Sequence, residues 1–221
     1  MNTLWDNATL WFTERELEER DALVRQCVAL VSEAWTGMNA AIRLRRVETP
    51  ILTPAKELAG HASAGFGMLD TKRGMLRPET TAGCIAALHA LYPNEQQLRK
   101  AMPICLWQVG TVFRDEEHGE TMRATRLRLR EFRQLEFELF CADSTKADYV
   151  RVAATALIGR FGGTMIEPQV LPHYSRMTID WEIDGLEVAG CSERTDWPLG
   201  RIYEASIGLD RLLAMILGRH T

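Results

Sequence analysis

The chain has no long hydrophobic run. Charges interrupt every apolar stretch of its 221 residues before it reaches the roughly 20 that a membrane helix needs. The N-terminus, MNTLWDNATLWFTERELEER, has no basic segment followed by an apolar core, so a secretory signal is not expected. There is no excess of basic charge. Lys and Arg number 26 against 30 Asp and Glu, a formal net charge of −4, which argues against general coating of nucleic acid but allows a local basic patch. No CxxC pair occurs among Cys27, Cys84, Cys105, Cys141 and Cys191. Dispersed, odd in number and mostly in apolar contexts, they read as buried free thiols in a reducing cytoplasm. The five histidines, at 61, 89, 118, 173 and 220, show no HxxxH or HxH spacing, so a structural metal site has little support. Repeats, low-complexity tracts and linkers are also missing.

What is present is punctuated helix and strand signal. Residues 13–36 read as a helix, with Thr13 and Glu16 as a capping box and Leu17, Val24, Val28, Val31 and Trp35 at helical spacing. Pro50 and Pro54 make RLRRVETPILTP, residues 43–54, extended. Pro78 opens a predicted helix, PETTAGCIAALHALY, with Glu79 in its first turn. A further helix is expected over about 144–161, with Ser144 as cap and Gly162-Gly163 as stop. MTIDWEIDGLEVAGCSER reads as two strands joined at Asp184-Gly185. EASIGLDRLLAMILGRH, from residue 204, reads as an apolar C-terminal helix. Antiparallel hairpins flanked by helices predict a single α+β domain.

The chemistry concentrates in residues 107–140, WQVGTVFRDEEHGETMRATRLRLREFRQLEFELF. They read as two strands around a charged loop. In the second strand Leu127, Leu129, Leu135, Phe137 and Leu139 share one face, and Arg128, Arg130, Phe132, Gln134, Glu136 and Glu138 share the other. In the first strand Arg114 and Glu116 share a face. Buried charges cost several kcal/mol each, to order of magnitude, unless they meet partners. Arginine forks suit phosphate, and carboxylates suit an ammonium or an exocyclic amine. A solvated strand face with cross-strand ion pairs is the alternative for this hairpin taken alone.

Two other segments bear on that choice. Arg211 lies within SIGLDRLLAMIL, one turn after Gly208, where an arginine calls for an anion; pairing with Asp210 or Glu204 is the alternative. EVAGCSERTDWPL, residues 187–199, places Glu187, Glu193, Arg194 and Asp196 beside a strand end; alone it would pass as a polar loop.

These segments together resemble the catalytic core of a class II aminoacyl-tRNA synthetase, of the subclass that includes the glycyl, histidyl, threonyl and prolyl enzymes. RRVETPILTP, ending a helix and strand over about 24–54, resembles the family's first signature, with Pro50 as its proline. Phe113-Arg114-Asp115-Glu116 and the return strand Arg128 to Glu138 resemble the second, over about 107–140. Gly208 and Arg211 resemble the third, over about 202–217. The three stand in the family's order, so the resemblance covers most of the chain and implies an antiparallel sheet flanked by helices. GHASAGF, LRPETTAG, RLREFRQLEFE, EVAGCSERTDWPL and EASIGLDR are most similar to glycyl-tRNA synthetase, and LRPETTAGC is also histidyl-like.

The resemblance implies that Arg114 holds the ATP α-phosphate, Glu116 faces the adenine amine, Phe132 stacks on adenine, Arg128 meets the triphosphate and Arg211 clamps the γ-phosphate. It implies that Glu79, Glu136, Glu204 and Ser206 grip the ammonium of a small amino acid, that Arg194 takes its carboxylate, and that Glu187 helps hold Mg²⁺. No zinc is expected, since Thr81 stands where a threonyl-type site has cysteine. A homodimer, a tRNA acceptor end or another carrier, and a cytoplasmic location are the expected context. No anticodon-binding domain is expected after Arg211, which ten residues follow.

Two functions are open at this point. One is ATP-dependent activation of a small amino acid, glycine by the resemblance, to an aminoacyl-adenylate. The other is a non-catalytic synthetase paralogue serving as a binding or accessory subunit. Retention of the costly charges Arg114, Glu116, Glu136, Arg194 and Arg211 favours the first.

Overall fold

The computed structural model describes residues 9–38, 42–63, 67–115, 127, 129–142 and 147–218. In chain order the elements are α1 (Glu14–Thr36), β1 (Arg43–Arg46), β2 (Leu52–Thr53), a 3-10 turn at Ala55–Leu58, α2 (Ala59–Ser63), β3 (Asp70–Thr71) and β4 (Gly74–Leu76). Then come α3 (Thr81–Leu91), α4 (Glu95–Ala101), β5 (Ile104–Phe113), β6 (Glu131–Cys141), α5 (Asp148–Phe161), β7 (Thr164–Ile166), β8 (Ser175–Ile183), β9 (Leu186–Arg194), β10 (Arg201–Gly208) and α6 (Leu209–Ile216).

Seven strands form one sheet in the order β1-β5-β6-β10-β9-β8-β7. The β1–β5 pair is parallel and the other pairs are antiparallel, so the sheet is antiparallel, as expected, apart from its β1 edge. Strands β2, β4 and β3 make a small second sheet. The architecture is a single α+β domain.

One face of the large sheet carries the main core. Leu135, Phe137 and Leu139 of β6 and Tyr203, Ala205 and Ile207 of β10 pack under α1, α5 and α6. Trp35 closes this layer. Its ring meets Phe137 edge-on at 6.1 Å, and its indole N–H donates to the Tyr149 carbonyl at 2.9 Å. That one bond ties the end of α1 to the start of α5. On the opposite face, α3 and α4 cover only one end, through Cys84, Leu88, Leu98, Ile104, Phe140 and Trp197. Among the described residues no long helix covers the remainder of that face, which forms a floor.

Several sequence expectations hold. Thr13 caps α1, and its amide donates to Glu16 at 2.7 Å. Asp184 and Gly185 take φ of 52° and 74°, the left-handed pair of a tight hairpin turn. All five cysteines are free and buried.

Others need correction. The helix expected from Pro78 starts at Thr81, because tertiary bonds claim the preceding backbone. The Thr80 amide donates to the Glu136 carboxylate at 2.8 Å, and the Pro78 carbonyl accepts from Arg114 at 3.2 Å. Glu79 therefore lies before the helix and not in its first turn. The expected C-terminal helix begins at Leu209, and residues 201–208 are strand β10. In that strand Tyr203, Ala205 and Ile207 face the core and alternate with Glu204 and Ser206, a short period-two signal that runs without a break into the apolar helix. Helix α5 begins at Asp148, and Ser144 lies outside the described residues. Strand β6 begins at Glu131, not near 127; Leu127 has φ of 47° and turns the chain.

Candidate active site

The uncovered floor is built by period-two alternation. Strand pairing sets Gln108, Glu136, Ser206, Gly190 and Asp180 in one row across the sheet. The neighbouring row is Leu106, Glu138, Glu204, Ser192 and Thr178. Over these rows lies a cavity of about 560 Å³. Glu79, Arg114, Phe132, Glu187, Glu204, Ser206 and Arg211 all line it. The structure thus brings together seven of the residues singled out in the sequence, drawn from five separate segments.

Two cations line the cavity. Arg114 donates to the Pro78 carbonyl, and its guanidinium lies 5.3 Å from the centroid of the Phe132 ring. Arg211 donates to the Leu127 carbonyl at 3.0 Å and to the Glu187 carbonyl. It is half-buried, not sunk in an apolar helix, because α6 turns it toward the cavity. Two arginines beside an aromatic face suit a nucleotide polyphosphate.

Carboxyls gather around a third cation. Arg194 is fully buried at their centre. It donates to Glu204 at 2.8 Å, to Thr81 at 3.0 Å and to Asp196 at 2.7 and 3.2 Å, and its remaining fork meets Glu79 at 2.8 Å. Glu79 also lies 3.3 Å from the His61 ring nitrogen. Burial alone would raise Glu79, but Arg194 and His61 outweigh it and hold the carboxyl below the ordinary range. Glu204 shares the same cation. Burial, only partly offset by Arg194 and reinforced by Glu79 and Glu136, pushes it up to about 8. Glu138, buried beside Glu204, is raised well above the usual range by burial and by Glu204 and Glu136. Glu136 is raised by burial and by Glu79. Three of these four carboxyls are thus raised by burial and by one another, and a cation entering beside them would relieve that repulsion.

Asp180 and Glu187 form a second acidic pair on the wall. A Cβ at Gly190 would sit 3.2 Å from an Asp180 oxygen and 4.0 Å from a Glu187 oxygen. Both carboxyls thus flank the space that glycine leaves open. Burial first, and Glu187 next, raise Asp180 to about 7. Two oxygen donors with unrelieved repulsion fit a Mg²⁺ that takes its other ligands from phosphate and water. Among the described residues no group of three or more potential ligands suits a metal held by protein alone.

The geometry departs from the sequence reading at two residues. Arg194 does not line the cavity. Its guanidinium is consumed by Glu79, Asp196 and Glu204 and covered by the Tyr174 ring, 3.7 Å away, so no fork faces a substrate carboxylate. Glu136 does not line the cavity either, because Thr80 covers it there; it accepts from the Thr80 amide and hydroxyl. Glu116 and Arg128 lie outside the described residues. Asp180, Glu138, Gln134 and Tyr174 escaped the sequence reading as site residues. For Asp180 the signal was present, since it alternates with Thr178 opposite the β9 strand. Tyr174 sits in a loop with no periodicity to announce it.

Comparison with known proteins sharpens this picture. Residues 69–169, a little under half of the chain, match the family described as the tRNA synthetase class II core domain (G, H, P, S and T). No curated protein matches the sequence at a significant level. Among solved structures, two of pyrrolysyl-tRNA synthetase from Desulfitobacterium hafniense resemble it. One superposes with a TM-score of 0.59 at 17% identity, covering 94% of this chain and 75% of that one. The other gives 0.60 at 18%, covering 94% and 76%. The fold is that of a class II synthetase catalytic core. The family match contains Glu79, Arg114, Phe132 and Glu136, while Glu187, Arg194, Glu204 and Arg211 come from the segment beyond it. The sheet joins the two groups through the β6–β10 pair.

Proposed function

We propose that this chain activates a small amino acid, glycine, with ATP to an aminoacyl-adenylate and passes the acyl group to a tRNA or another carrier. The observation that carries the reading is the lining of one cavity, in which Arg114, Arg211 and the Phe132 ring share the walls with Glu79, Glu204 and Ser206.

The chemistry needs little more. The substrate carboxylate attacks the α-phosphorus in line, the bond to pyrophosphate breaks, and no proton changes hands. Catalysis is then positioning and charge neutralisation. Arg114 holds the α-phosphate, Arg211 the γ-phosphate, and Phe132 stacks on adenine. Glu79, Glu204 and Ser206 receive the ammonium group. Glu136, covered by Thr80, acts by fixing the backbone of that residue, next to Glu79. Arg194 sets the positions of Glu79 and Glu204. Asp180 and Glu187 would hold Mg²⁺, which supplies neutralisation of phosphate charge. Glu116 at the adenine amine and Arg128 at the triphosphate complete the assignment by resemblance. No described helix is long and apolar enough to cross a membrane.

The same reading includes a homodimer formed through α1 and the strand at Pro50, where Ile51 and Leu52 stand exposed. Light scattering that gives a monomer at micromolar concentration counts against that part alone.

Amino-acid-dependent ATP–pyrophosphate exchange across the twenty amino acids, with and without tRNA, tests the central claim. Exchange with glycine is the expected result. Exchange with none, together with no ATP binding by calorimetry, makes the chain a non-catalytic binding subunit instead.

A further inference from the structure

Among the described residues that line the cavity, one nitrogen base is left unused by activation. His173 lies in the segment between β7 and β8. Its ring stands edge-on to His61, 4.9 Å between centroids, and edge-on to Tyr174 at 5.0 Å. From α2, a Cβ at Gly60 would come within 3.2 Å of its Nε2, so the ring is held from both sides. His61 reaches on to Glu79, and Tyr174 covers Arg194. His173 is thus fixed beside the end of the cavity assigned to the amino acid, and it remains exposed to solvent.

We propose that His173 is a catalytic residue of acyl transfer, accepting the proton of the acceptor nucleophile as that group attacks the adenylate carbonyl. This rests on the activation reading above. In the step, the acceptor's O–H, N–H or S–H bond breaks and its heavy atom bonds to the carbonyl carbon. The bond from that carbon to the phosphate oxygen breaks, and AMP leaves with the electron pair. The proton passes to a ring nitrogen of His173 and from there to solvent. Nothing else is consumed.

The surroundings suit a base. The groups facing His173 are His61, Glu79, Tyr174, Arg194 and Asp196. Burial, then His61, lower its proton affinity; Arg194 adds to this, while Glu79 and Asp196 oppose it. The net direction favours the neutral imidazole near pH 7. The neighbouring alternatives are poorer. Glu79 is neutralised by Arg194, and Arg114 and Arg211 carry protons they do not give up. Positioned general bases contribute on the order of 10²–10⁴-fold.

The test separates the two half-reactions in the full chain carrying His173→Ala. Single-turnover AMP release from preformed enzyme-bound adenylate is followed on adding unfractionated tRNA, beside pyrophosphate exchange. The expected result is a release rate that falls at least tenfold more than exchange. Release by the unaltered chain should rise with pH below neutrality, and the variant's should not. Added imidazole should restore part of the variant's rate. Equal losses in both half-reactions, or release that keeps its rate and pH dependence, overturn the proposal. So does a chain that forms adenylate but never discharges it onto tRNA. No exchange by the unaltered chain refutes the activation reading itself, a different failure.

Discussion

The guanidinium of Arg194 sits 3.7 Å from the centroid of the Tyr174 ring, with Glu79 and Glu204 held at 2.8 Å on its other sides. A cation so enclosed cannot leave to meet substrate without abandoning two buried carboxylates. Its work is to fix them. Aromatic capping and charge pairing act together here, since both strengthen as water is excluded.

Replacing Arg194 with alanine should therefore unfold or strongly destabilise the chain before it alters catalysis. Removing one partner from a buried ion pair costs about 3–5 kcal/mol, and here one cation serves three acids. Urea denaturation should show a lower midpoint by that order. A variant with unchanged midpoint and merely weakened amino-acid binding would return Arg194 to the role of carboxylate ligand.

Arg211 should behave in the opposite way. It is half-buried and bonded to backbone carbonyls of Leu127 and Glu187, groups that water can satisfy in its place. Arg211→Ala should keep the fold by circular dichroism and lose about 10²–10³-fold in pyrophosphate exchange, the range seen when a preorganised charge-stabilising donor is removed. Near-normal exchange would sink the phosphate role. Failure to fold would make Arg211 a structural residue.

Stability should fall as pH rises from mildly acid to mildly alkaline. Glu204, raised to about 8, and Glu138, raised well above the usual carboxyl range by burial and its neighbours, bind protons in the folded state that the unfolded chain releases near pH 4.3. Raised carboxyls contribute stability at low pH that is lost as pH climbs toward the folded values. Glu79 runs the other way, but its depressed proton affinity confines that effect to strongly acid solution. Every tenfold difference in proton affinity between folded and unfolded chain is worth about 1.4 kcal/mol. Thermal unfolding should thus occur at a lower temperature at pH 8.5 than at pH 6. Glu138→Gln, which mimics the protonated acid, should flatten that slope and raise the pH 8.5 value. A slope unchanged in the variant would mean that Glu138 is ionised.

Much of this site was legible because charges alternated along strands. Gln134, Glu136 and Glu138 declared a polar face of β6, and the arginine after Phe113 declared a phosphate end. What the pattern could not convey was depth. Glu136 and Glu204 read alike in sequence, yet only Glu204 lines the cavity, because Thr80 arrives to cover Glu136. Arg194 read as a ligand since nothing local reveals that Glu79, more than a hundred residues away, arrives to claim it. Strand β10 was hidden for another reason. Its alternation of Tyr203, Ala205 and Ile207 with Glu204 and Ser206 is short, and the chain passes from it into the apolar α6 without a turn residue between.

The last prediction concerns amino-acid choice. Glu79, Glu204 and Ser206 line the end of the cavity where an ammonium group would sit, and Gln134 donates to the Ser206 hydroxyl. Glu204, poised at about 8 with too little cation beside it, becomes a better acceptor once an ammonium arrives. A methyl group placed against these carboxyls would desolvate them without a hydrogen bond in return. Such a loss is worth about 1–3 kcal/mol, or roughly 5- to 150-fold in discrimination. Exchange should therefore run faster with glycine than with alanine or serine by a factor in that range, and Glu204→Gln should weaken glycine binding more than ATP binding. Histidine is the competitor to include, because LRPETTAGC is also histidyl-like. If histidine or a larger amino acid drives exchange faster than glycine, the pocket extends along the Ser192 and Thr178 floor beyond the carboxyls, and the glycyl assignment falls while the activation chemistry stands.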